Sequence, residues 1–520
     1  MKLLSQEKIF ITILILFSIL INQYYGNRGA FPIDSFLFFD TGYRILSGEV
    51  PCVDFWLVNG FLLDYMQALF FYIFGVNWHF YVLHASLMNA LVTISTFFVL
   101  KNFKLKTSYC FLYSLLFSIL AYPSSGTPFI DHHSAFFSLL GIYSLLLAIN
   151  NNKKLYWILL PIFLGLAFFS KQVPSSYIIL SVSAVLILYS LKNKRFDCIK
   201  YSFIGLILFI FIVLIFGKLQ EIKFSAFLDQ YIFYPLTIGE QRFENLNFTF
   251  RGIIGHFKFV YLAIIPLFYV NIKKLLFNKN YTLHNDFYFF LSLFLLTVSF
   301  ILHQILTKNQ TFIFFLIPVL TAFSQISLID TKLKYKNLIF LILISLCLFA
   351  TLKYHLRFNE NRKFHELENV DFKLSIDAKK IDKKLSGLKW ITPEFPNTPS
   401  EEIQLINQIK SHLSKDSRNK MIITNYSFFS NILDEKIISP SRSYTGDGTT
   451  IPIKENKYKT KYKKLMINLI KKNKISVVYI IAPLDSTTIY NYIDRQCFEE
   501  NYVLKQLKSY AIKNCIDING

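Results

Sequence analysis

Long apolar segments separated by short polar loops fill the first two thirds of the chain. They lie at about 8–25, 78–100, 107–122, 132–150, 154–170, 174–191, 199–217, 252–272, 286–306, 310–328 and 337–353. A helix of about 20 apolar residues crosses the roughly 30 Å hydrocarbon layer of a bilayer. The pattern therefore predicts a polytopic α-helical membrane protein with about eleven transmembrane helices. The first segment lacks a small-residue cleavage site, so we expect it to be a retained helix rather than a signal peptide.

The loops between these segments alternate in charge. Every second loop is basic: Lys101, Lys104 and Lys106; Lys153 and Lys154; Lys192, Lys194, Arg195 and Lys200; Lys273, Lys274 and Lys279; Lys332, Lys334 and Lys336. Cytoplasmic loops carry the excess of Lys and Arg. The alternation predicts a cytoplasmic amino terminus and an extracytoplasmic chain after residue 354, in a bacterial inner or plasma membrane.

The pattern changes in residues 355–520, where charged residues are dense and no window could span a bilayer. Apolar runs predict strands at 388–391, 421–424 and 477–481, and helical periodicity predicts helices at 459–472 and 499–513. A further helix should begin at Pro399, capped by Thr398 with Glu401 three residues on. Strands alternating with helices predict a soluble α/β domain. The chain thus has a membrane domain at 1–354, with a first extracytoplasmic loop at 26–77, and a soluble domain at 355–520.

Composition supports a membrane protein and weakens a competing interpretation. The chain is 53% hydrophobic with a mean hydropathy of +0.40, which is outside the usual range of soluble domains. Its formal net charge of +22 could indicate a nucleic acid partner. Because much of this charge lies in the short loops that orient membrane helices, we expect membrane lipids and no nucleic acid as partners.

The first extracytoplasmic loop concentrates acidic residues beside one arginine. Asp34, Asp40 and Asp54 lie near Arg44 within residues 33–56. In one interpretation Asp34 caps a helix at 35–47, and Asp40 pairs with Arg44 at i, i+4 on its surface. In another, Asp34 lies at the membrane interface among apolar neighbours, where partial desolvation makes a carboxylate a better proton acceptor.

The motifs in this loop resemble those of the GT-C glycosyltransferases. An acid followed by an amphipathic helix, then GEVP at 48–51 and DFW at 54–56, is similar to the first loop of the bacterial family 39 enzymes, which are related to protein O-mannosyltransferases and the lipid A aminoarabinose transferase. A second match comprises residues 122–148 and 165–180, so the resemblance covers about residues 8–190. After Trp56 the family often has Lys-Pro-Pro-Leu, whereas this chain has VNGFL at 58–62 and lacks that lysine, which leaves the donor open.

The resemblance implies a reaction and roles for individual residues. The family moves a sugar from a polyprenyl-phosphate carrier to an acceptor, here an extracytoplasmic glycan, lipid or protein of the cell envelope, as an inverting glycosyltransferase without a required cofactor. It makes Asp34, about fourteen residues before Gly48, the general base. It places Asp131 at the acceptor or sugar and Lys171 at the phosphate. Weaker candidates for substrate binding are Asp40, Arg44, Asp54, Arg242, Arg251 and Lys308.

Histidines and cysteines add two minor predictions. His132 and His133 beside Asp131 are residue types that bind divalent metals. Adjacent side chains on a helix point about 100° apart, so one ion cannot easily bind both histidines and no metal site is predicted. His84, His256 and His303 are isolated, which favours packing roles. Cys497 and Cys515 flank the last predicted helix outside the cytoplasm, where a disulfide can form.

Three other functions stay open at this stage. A transporter or flippase would be expected to show intramembrane charges and repeated halves, and neither is evident. An O-antigen-type polymerase or ligase usually has its large loop late in the chain, whereas here the acids concentrate in the first loop. A non-enzymatic assembly factor would use the soluble domain to bind a partner.

Overall fold

The chain consists of two compact units. The computed structural model describes residues 6–244, 246–308, 312–329, 331, 333–361, 367–453 and 456–515. A helical unit combines Met1–Gly26, Ala85–Ile215 and Asn245–Phe364, and a mixed unit combines Asn27–His84, Phe216–Glu244 and His365–Gly520. Residues of the predicted first extracytoplasmic loop thus fold with the carboxyl-terminal domain.

The predicted membrane segments are helices. Among the described residues, eight helices are long and apolar enough to cross a membrane: Gln6–Gly26, Trp78–Asn102, Ile130–Asn151, Gln172–Asn193, Asp197–Leu219, Arg251–Phe277, Asn285–Thr307 and Lys336–Glu360. Thr107–Ala121, Lys154–Ser170 and Leu316–Ile329 are shorter apolar helices at the other three predicted positions. The polytopic helical fold is confirmed, and the count of about eleven spans stays a prediction.

The basic loops meet at one end of the helical unit. Asn150 donates a hydrogen bond to Asn102 over 2.8 Å, and Arg195 donates to Asn152 in the next basic loop. Lys101 pairs with Glu7 at the beginning of the first described helix. These contacts join the amino-terminal end to the basic loops, in agreement with the alternation seen in the sequence. Which side of a membrane this end faces stays a prediction.

The mixed unit combines short helices with two sheets. Its helices are Pro32–Ser35, Leu37–Leu46, Phe61–Phe74, Phe224–Phe227, Tyr234–Glu244, Pro399–Lys415, Phe429–Leu433, Lys459–Lys472 and Thr487–Tyr490. Its strands are β1 (Ile376–Asp377), β2 (Lys389–Trp390), β3 (Lys420–Ile423), β4 (Val477–Ile481), β5 (Phe498–Leu504) and β6 (Leu507–Ile512). This composition confirms a carboxyl-terminal α/β region.

The larger sheet has the strand order β3-β4-β6-β5. β3 and β4 are parallel, whereas β6 is antiparallel to both β4 and β5. Both parallel strands are buried along their whole length, as expected for strands covered on two faces. Trp56 and Tyr234, from the two loop segments of the unit, pack into the same core as Met421, Val478 and Tyr510.

Three local predictions for this unit were wrong. The helix at 499–513 is instead the hairpin β5–β6, because pairing along the buried β4 outweighs a weak helical periodicity. The helix at 35–47 is two helices that meet at Phe36, so Asp34 lies within the first and caps neither. Thr398 occupies the predicted N-cap position, but its side chain makes no capping hydrogen bond.

A disulfide joins Cys497 and Cys515, which are 18 residues apart. It encloses the β5–β6 hairpin rather than the predicted last helix. The described chain contains four other cysteines, Cys52, Cys110, Cys198 and Cys347, which are buried and free.

Candidate active site

Two helical side chains and one from the break between two helices form a buried polar cluster in the helical unit. The Lys171 ammonium group donates to both carboxylate oxygens of Asp131 at 2.8 Å. His303 Nε2 lies 3.0 Å from Asp131 Oδ1. Asp131 is only 3% exposed, whereas the side chain of Lys171 is 14% exposed. The pair therefore sits at the edge of the packed helices, with the lysine closer to solvent.

Local sequence explains how the three residues reach one point. Asp131 occupies the first turn of Ile130–Asn151, where the helix dipole favours a negative charge. Lys171 is an extended residue that ends one helix and precedes the next, and its carbonyl oxygen accepts from the Ser175 hydroxyl at 2.8 Å. His303 lies in the last turns of Asn285–Thr307. A helix beginning, a helix break and a helix end thus meet at one end of the unit.

His303 was expected to be an isolated residue with a packing role, and the structure shows that it is buried but not isolated. The side chain is buried and binds the carboxylate that Lys171 also binds. The sequence offered one signal for this contact. His303 lies near the end of an apolar helix, on the same predicted side of the membrane as Asp131. Nothing in the sequence indicated which acid it would meet, since 172 residues separate the two.

Aromatic rings and two more histidines line the cluster. His132 stacks on Tyr122 with ring centroids 4.4 Å apart and meets the edge of Phe312. His133 Nδ1 lies 3.2 Å from the Tyr122 hydroxyl and 3.1 Å from the Phe129 carbonyl oxygen. Within the described ranges no group of three or more His, Cys, Asp and Glu side chains could hold a metal ion.

Asp34 belongs to the mixed unit and lies in the first helix of that unit, Pro32–Ser35. Pro32 begins this helix, and the Asp34 amide donates to the Phe31 carbonyl oxygen at 2.9 Å. The side chain is half-buried. Partial burial agrees with the predicted desolvation of this carboxylate, and its role as general base stays a prediction.

Asp40 and Arg44 form the predicted i, i+4 pair, but the pair is buried rather than on a surface. Arg44 is 1% exposed, and its Nη1 lies 3.6 Å from Asp40 Oδ2. Its Nη2 donates at 2.6 Å both to Glu49 and to the Ser439 carbonyl oxygen, which belongs to the carboxyl-terminal domain. Burial raises the pKa of Asp40 to about 7, although Arg44 opposes the shift. These contacts fit a structural role in holding the loop to that domain.

Asp54 closes the turn after Pro51. Its Oδ2 accepts from the Val50 amide at 2.9 Å, and its Oδ1 pairs with Lys472 at 2.7 Å. Lys472 is the last residue of Lys459–Lys472. The carboxylate thus has two protein partners, and its predicted part in substrate binding stays a prediction.

A second buried ion pair in the mixed unit was missed by the sequence analysis. Arg442 Nη1 lies 3.1 Å from Asp64 Oδ1, and the Thr41 hydroxyl donates to the same oxygen at 2.6 Å. Asp64 is fully buried, and burial raises its pKa to about 6. Arg442 also binds the side-chain oxygen of Asn59 at 3.0 Å. The available signal was a carboxylate inside the otherwise apolar helix Phe61–Phe74.

The weaker cation candidates are exposed. Arg242 and Lys308 lie at helix ends, and Arg251 begins the π-helical turn Arg251–Gly255. Lys308 follows His303 by five residues, in the left-handed conformation that ends its helix. No contact of the described structure joins these three to Asp131 or Lys171, so their substrate role stays a prediction.

Comparison with known proteins gives one family match and two similar structures. The sequence model of the family described as dolichyl-phosphate-mannose-protein mannosyltransferase matches residues 58–217. No curated protein matches the chain. The structure of ArnT from Cupriavidus metallidurans in the apo state matches with a TM-score of 0.53 at 10% identity, covering 97% of each chain. The structure of the same protein bound to undecaprenyl phosphate matches with a TM-score of 0.42 at 10% identity, again over 97% of each chain.

The family match to residues 58–217 and the shared fold support the resemblance to GT-C type membrane glycosyltransferases that the sequence motifs indicate. The matched segment includes Asp64, Asp131 and Lys171, whereas Asp34 and His303 lie outside it. At 10% identity the likeness to the solved structure concerns the fold alone.

Proposed function

We propose that the protein is an inverting glycosyltransferase that moves a sugar from a polyprenyl-phosphate carrier to an extracytoplasmic acceptor of the cell envelope. The observation that carries the proposal is the buried Asp131–Lys171–His303 cluster at one end of a GT-C type helical unit. The Asp131 carboxylate and the Lys171 ammonium group lie at helix ends. We expect the cation to meet the phosphate of the lipid carrier there and the carboxylate to meet the sugar or acceptor.

The reaction requires a base and a cation. The acceptor hydroxyl oxygen attacks the anomeric carbon of the donor, and the bond from this carbon to the phosphate oxygen breaks. The proton of the hydroxyl passes to a carboxylate, and the electron pair of the broken bond leaves with the polyprenyl phosphate. We assign the base role to Asp34, on the spacing from Gly48 and the half-burial of its side chain.

Lys171 would stabilise the leaving phosphate. Its ammonium group donates to both carboxylate oxygens of Asp131, which hold it in place. The 14% exposure of the Lys171 side chain leaves a phosphate oxygen room to approach. Asp131 would hold this ammonium group in position and hydrogen-bond the sugar or acceptor.

His303 would act as a positioning residue for the same carboxylate. Its Nε2 is within hydrogen-bond distance of the Asp131 oxygen that also accepts from Lys171. A carboxylate held by two donors from different helices loses rotational freedom. Its orientation toward a bound substrate is then fixed before binding, which is the usual gain from preorganisation.

The proposal is tested by envelope mass spectrometry with and without the gene, followed by complementation with variants. We expect loss of one glycan modification without the gene, recovery with the wild type and no recovery with Asp34→Asn. Asp371→Asn is the matched control, because Asp371 is an exposed acid of the same unit. Unchanged envelope glycans in the deletion strain would contradict the proposal, and full recovery by well-expressed Asp34→Asn would contradict the base assignment.

Sidedness is part of the proposal and has its own test. We propose that the amino terminus is cytoplasmic and that the mixed unit faces the extracytoplasmic side. Reporter fusions after Asn152 and after Ile518 should then report opposite sides. The same side for both would contradict the proposed sidedness.

A further inference from the structure

The mixed unit contains a pocket at the carboxyl ends of its two parallel strands. The pocket has a volume of about 190 Å³, and it is lined by Tyr426, just after β3, and by Ile481, Ala482 and Pro483 at the end of β4. In open α/β sheets, ligands bind in the crevice outside the carboxyl ends of parallel strands. The place in the fold therefore indicates a ligand site.

One face of a helix forms a wall of this pocket. Glu402, Leu405, Ile406 and Ile409 of Pro399–Lys415 all line it. Their spacing of three, four and seven residues places them on one side of an α-helix. The wall is apolar apart from its first residue, and the rings of Phe395 and Phe429 extend it.

Two polar groups inside the pocket can accept hydrogen bonds. Glu402 is 2% exposed, and its carboxylate accepts from the Trp390 indole, the Thr392 hydroxyl and the Tyr426 hydroxyl, each at 2.8 Å. A carboxylate offers about four acceptor positions, so one is left for a ligand. Gln506 Oε1 is buried and has no hydrogen-bond partner in the described chain.

We propose that this pocket binds a small amphipathic molecule with an apolar body and a hydrogen-bond donor, a primary amine or a hydroxyl group. The apolar body would lie against Leu405, Ile406 and Ile409, and the donor would reach Gln506 Oε1 and the remaining position on Glu402. A buried acceptor without a partner is costly, which is the reason a donor-bearing ligand is favoured.

Size and charge narrow the ligand class. An apolar cavity of about 150 Å³ holds a benzene ring, so this pocket suits roughly six to ten heavy atoms. Its two ionisable carboxyl groups, Glu394 at the mouth and Glu402 inside, disfavour an anion. Sugar phosphates and carboxylates are therefore disfavoured as occupants. The site does not depend on the proposed glycosyl transfer.

The test measures binding of three probes of nearly equal size, with eight or nine heavy atoms, to the full chain in lipid nanodiscs. Cyclohexylmethylamine, cyclohexylmethanol and cyclohexanecarboxylate share the ring and differ in the polar group, and saturation-transfer NMR reports contact with each. We expect binding of the amine and the alcohol, and binding of the carboxylate at least about tenfold weaker. Equal binding of all three would overturn the proposal.

Two variants locate the bound probe. Ile406→Trp fills the pocket and should abolish the signal, with Ala482→Met as the substitute if the tryptophan variant unfolds. Gln506→Leu removes the acceptor and should weaken the amine and the alcohol about tenfold, whereas Gln496→Leu on the surface should not. Binding unchanged in a folded pocket-filling variant, or in Gln506→Leu, would refute the site.

Discussion

The ion pair between Asp131 and Lys171 predicts an asymmetric response to mutation. Lys171→Met preserves the length of the side chain but removes the charge, so that, among the described residues, Asp131 keeps only His303 as a side-chain partner. Asp131→Asn leaves the ammonium group without its counter-charge. Because the Lys171 side chain is 14% exposed and Asp131 only 3%, the lysine can recover hydration more easily than the carboxylate. Lys171→Met should therefore lower the free energy of unfolding more than Asp131→Asn does.

The magnitude follows from distance and burial. At 2.8 Å and an effective dielectric constant of about 20, the Coulomb attraction is about 6 kcal/mol, and desolvation of both groups offsets part of it. Removing one partner of a buried pair costs about 3–5 kcal/mol. We expect that cost for Lys171→Met and about 2 kcal/mol for Asp131→Asn, where rehydration limits the loss. The double variant should lose less than the sum by at least about 2 kcal/mol.

The assay is a double-mutant cycle on purified protein. Unfolding free energies are measured by titrating mixed micelles with a denaturing detergent and following tryptophan fluorescence. Lys274→Met is the matched control, because Lys274 pairs with Asp286 at the same 2.8 Å distance while both side chains are exposed, and it should cost at most about 1 kcal/mol. Additive single effects, or a larger cost for Asp131→Asn than for Lys171→Met, would refute the reasoning.

Three further predictions concern the mixed unit. Replacing Cys497 and Cys515 by serine opens an 18-residue loop and should lower the unfolding free energy by about 3 kcal/mol, and no change in urea unfolding would contradict this. Burial raises the pKa of Glu402 from 4.5 to about 7, so its stabilising contribution is complete below about pH 4.5 and is lost as the pH rises through 7. Thermal unfolding from pH 5 to 8 should show this fall in the wild type, with a flatter profile for Glu402→Gln, and equal profiles would count against the shift. Arg442→Met should lower the free energy of unfolding by about 3–5 kcal/mol, because the Asp64 carboxylate stays buried without its counter-charge. If the unpaired carboxylate is the cause, Asp64→Asn combined with Arg442→Met should recover part of this stability.

Elements with a strong local pattern were predictable from the sequence. The run Val477–Ile481 is a strand and Lys459–Lys472 is a helix at the predicted bounds, because each has an unbroken pattern and clear ends. The β5–β6 hairpin was not predictable in the same way. Its connection at Lys505 and Gln506 lacks the glycine or asparagine that marks a tight turn, and its pairing with β4 is a contact between distant parts of the chain.

The candidate site was also predictable only in part. Asp131 and Lys171 were each identified from motifs at helix ends, and their predicted sidedness agrees with the contact between them. The contact itself depends on how three helices pack, which periodicity does not specify. For the same reason the contact of His303 with Asp131 and the pair of Asp64 with Arg442 were missed. The two residues of each contact are 172 and 378 residues apart in the chain. In addition, Asp64 lies within an apolar run.

The most direct test of the proposed function is release of the carrier product. Purified protein in liposomes is given the polyprenyl-linked lipids of its host together with the extracytoplasmic envelope fraction, and free polyprenyl phosphate is quantified by mass spectrometry. The proposal predicts release by the wild type that requires the acceptor fraction and falls by about 10²- to 10⁴-fold in folded Asp34→Asn. Movement of intact sugar-linked lipid across the bilayer without release of polyprenyl phosphate would identify a flippase and contradict the proposal.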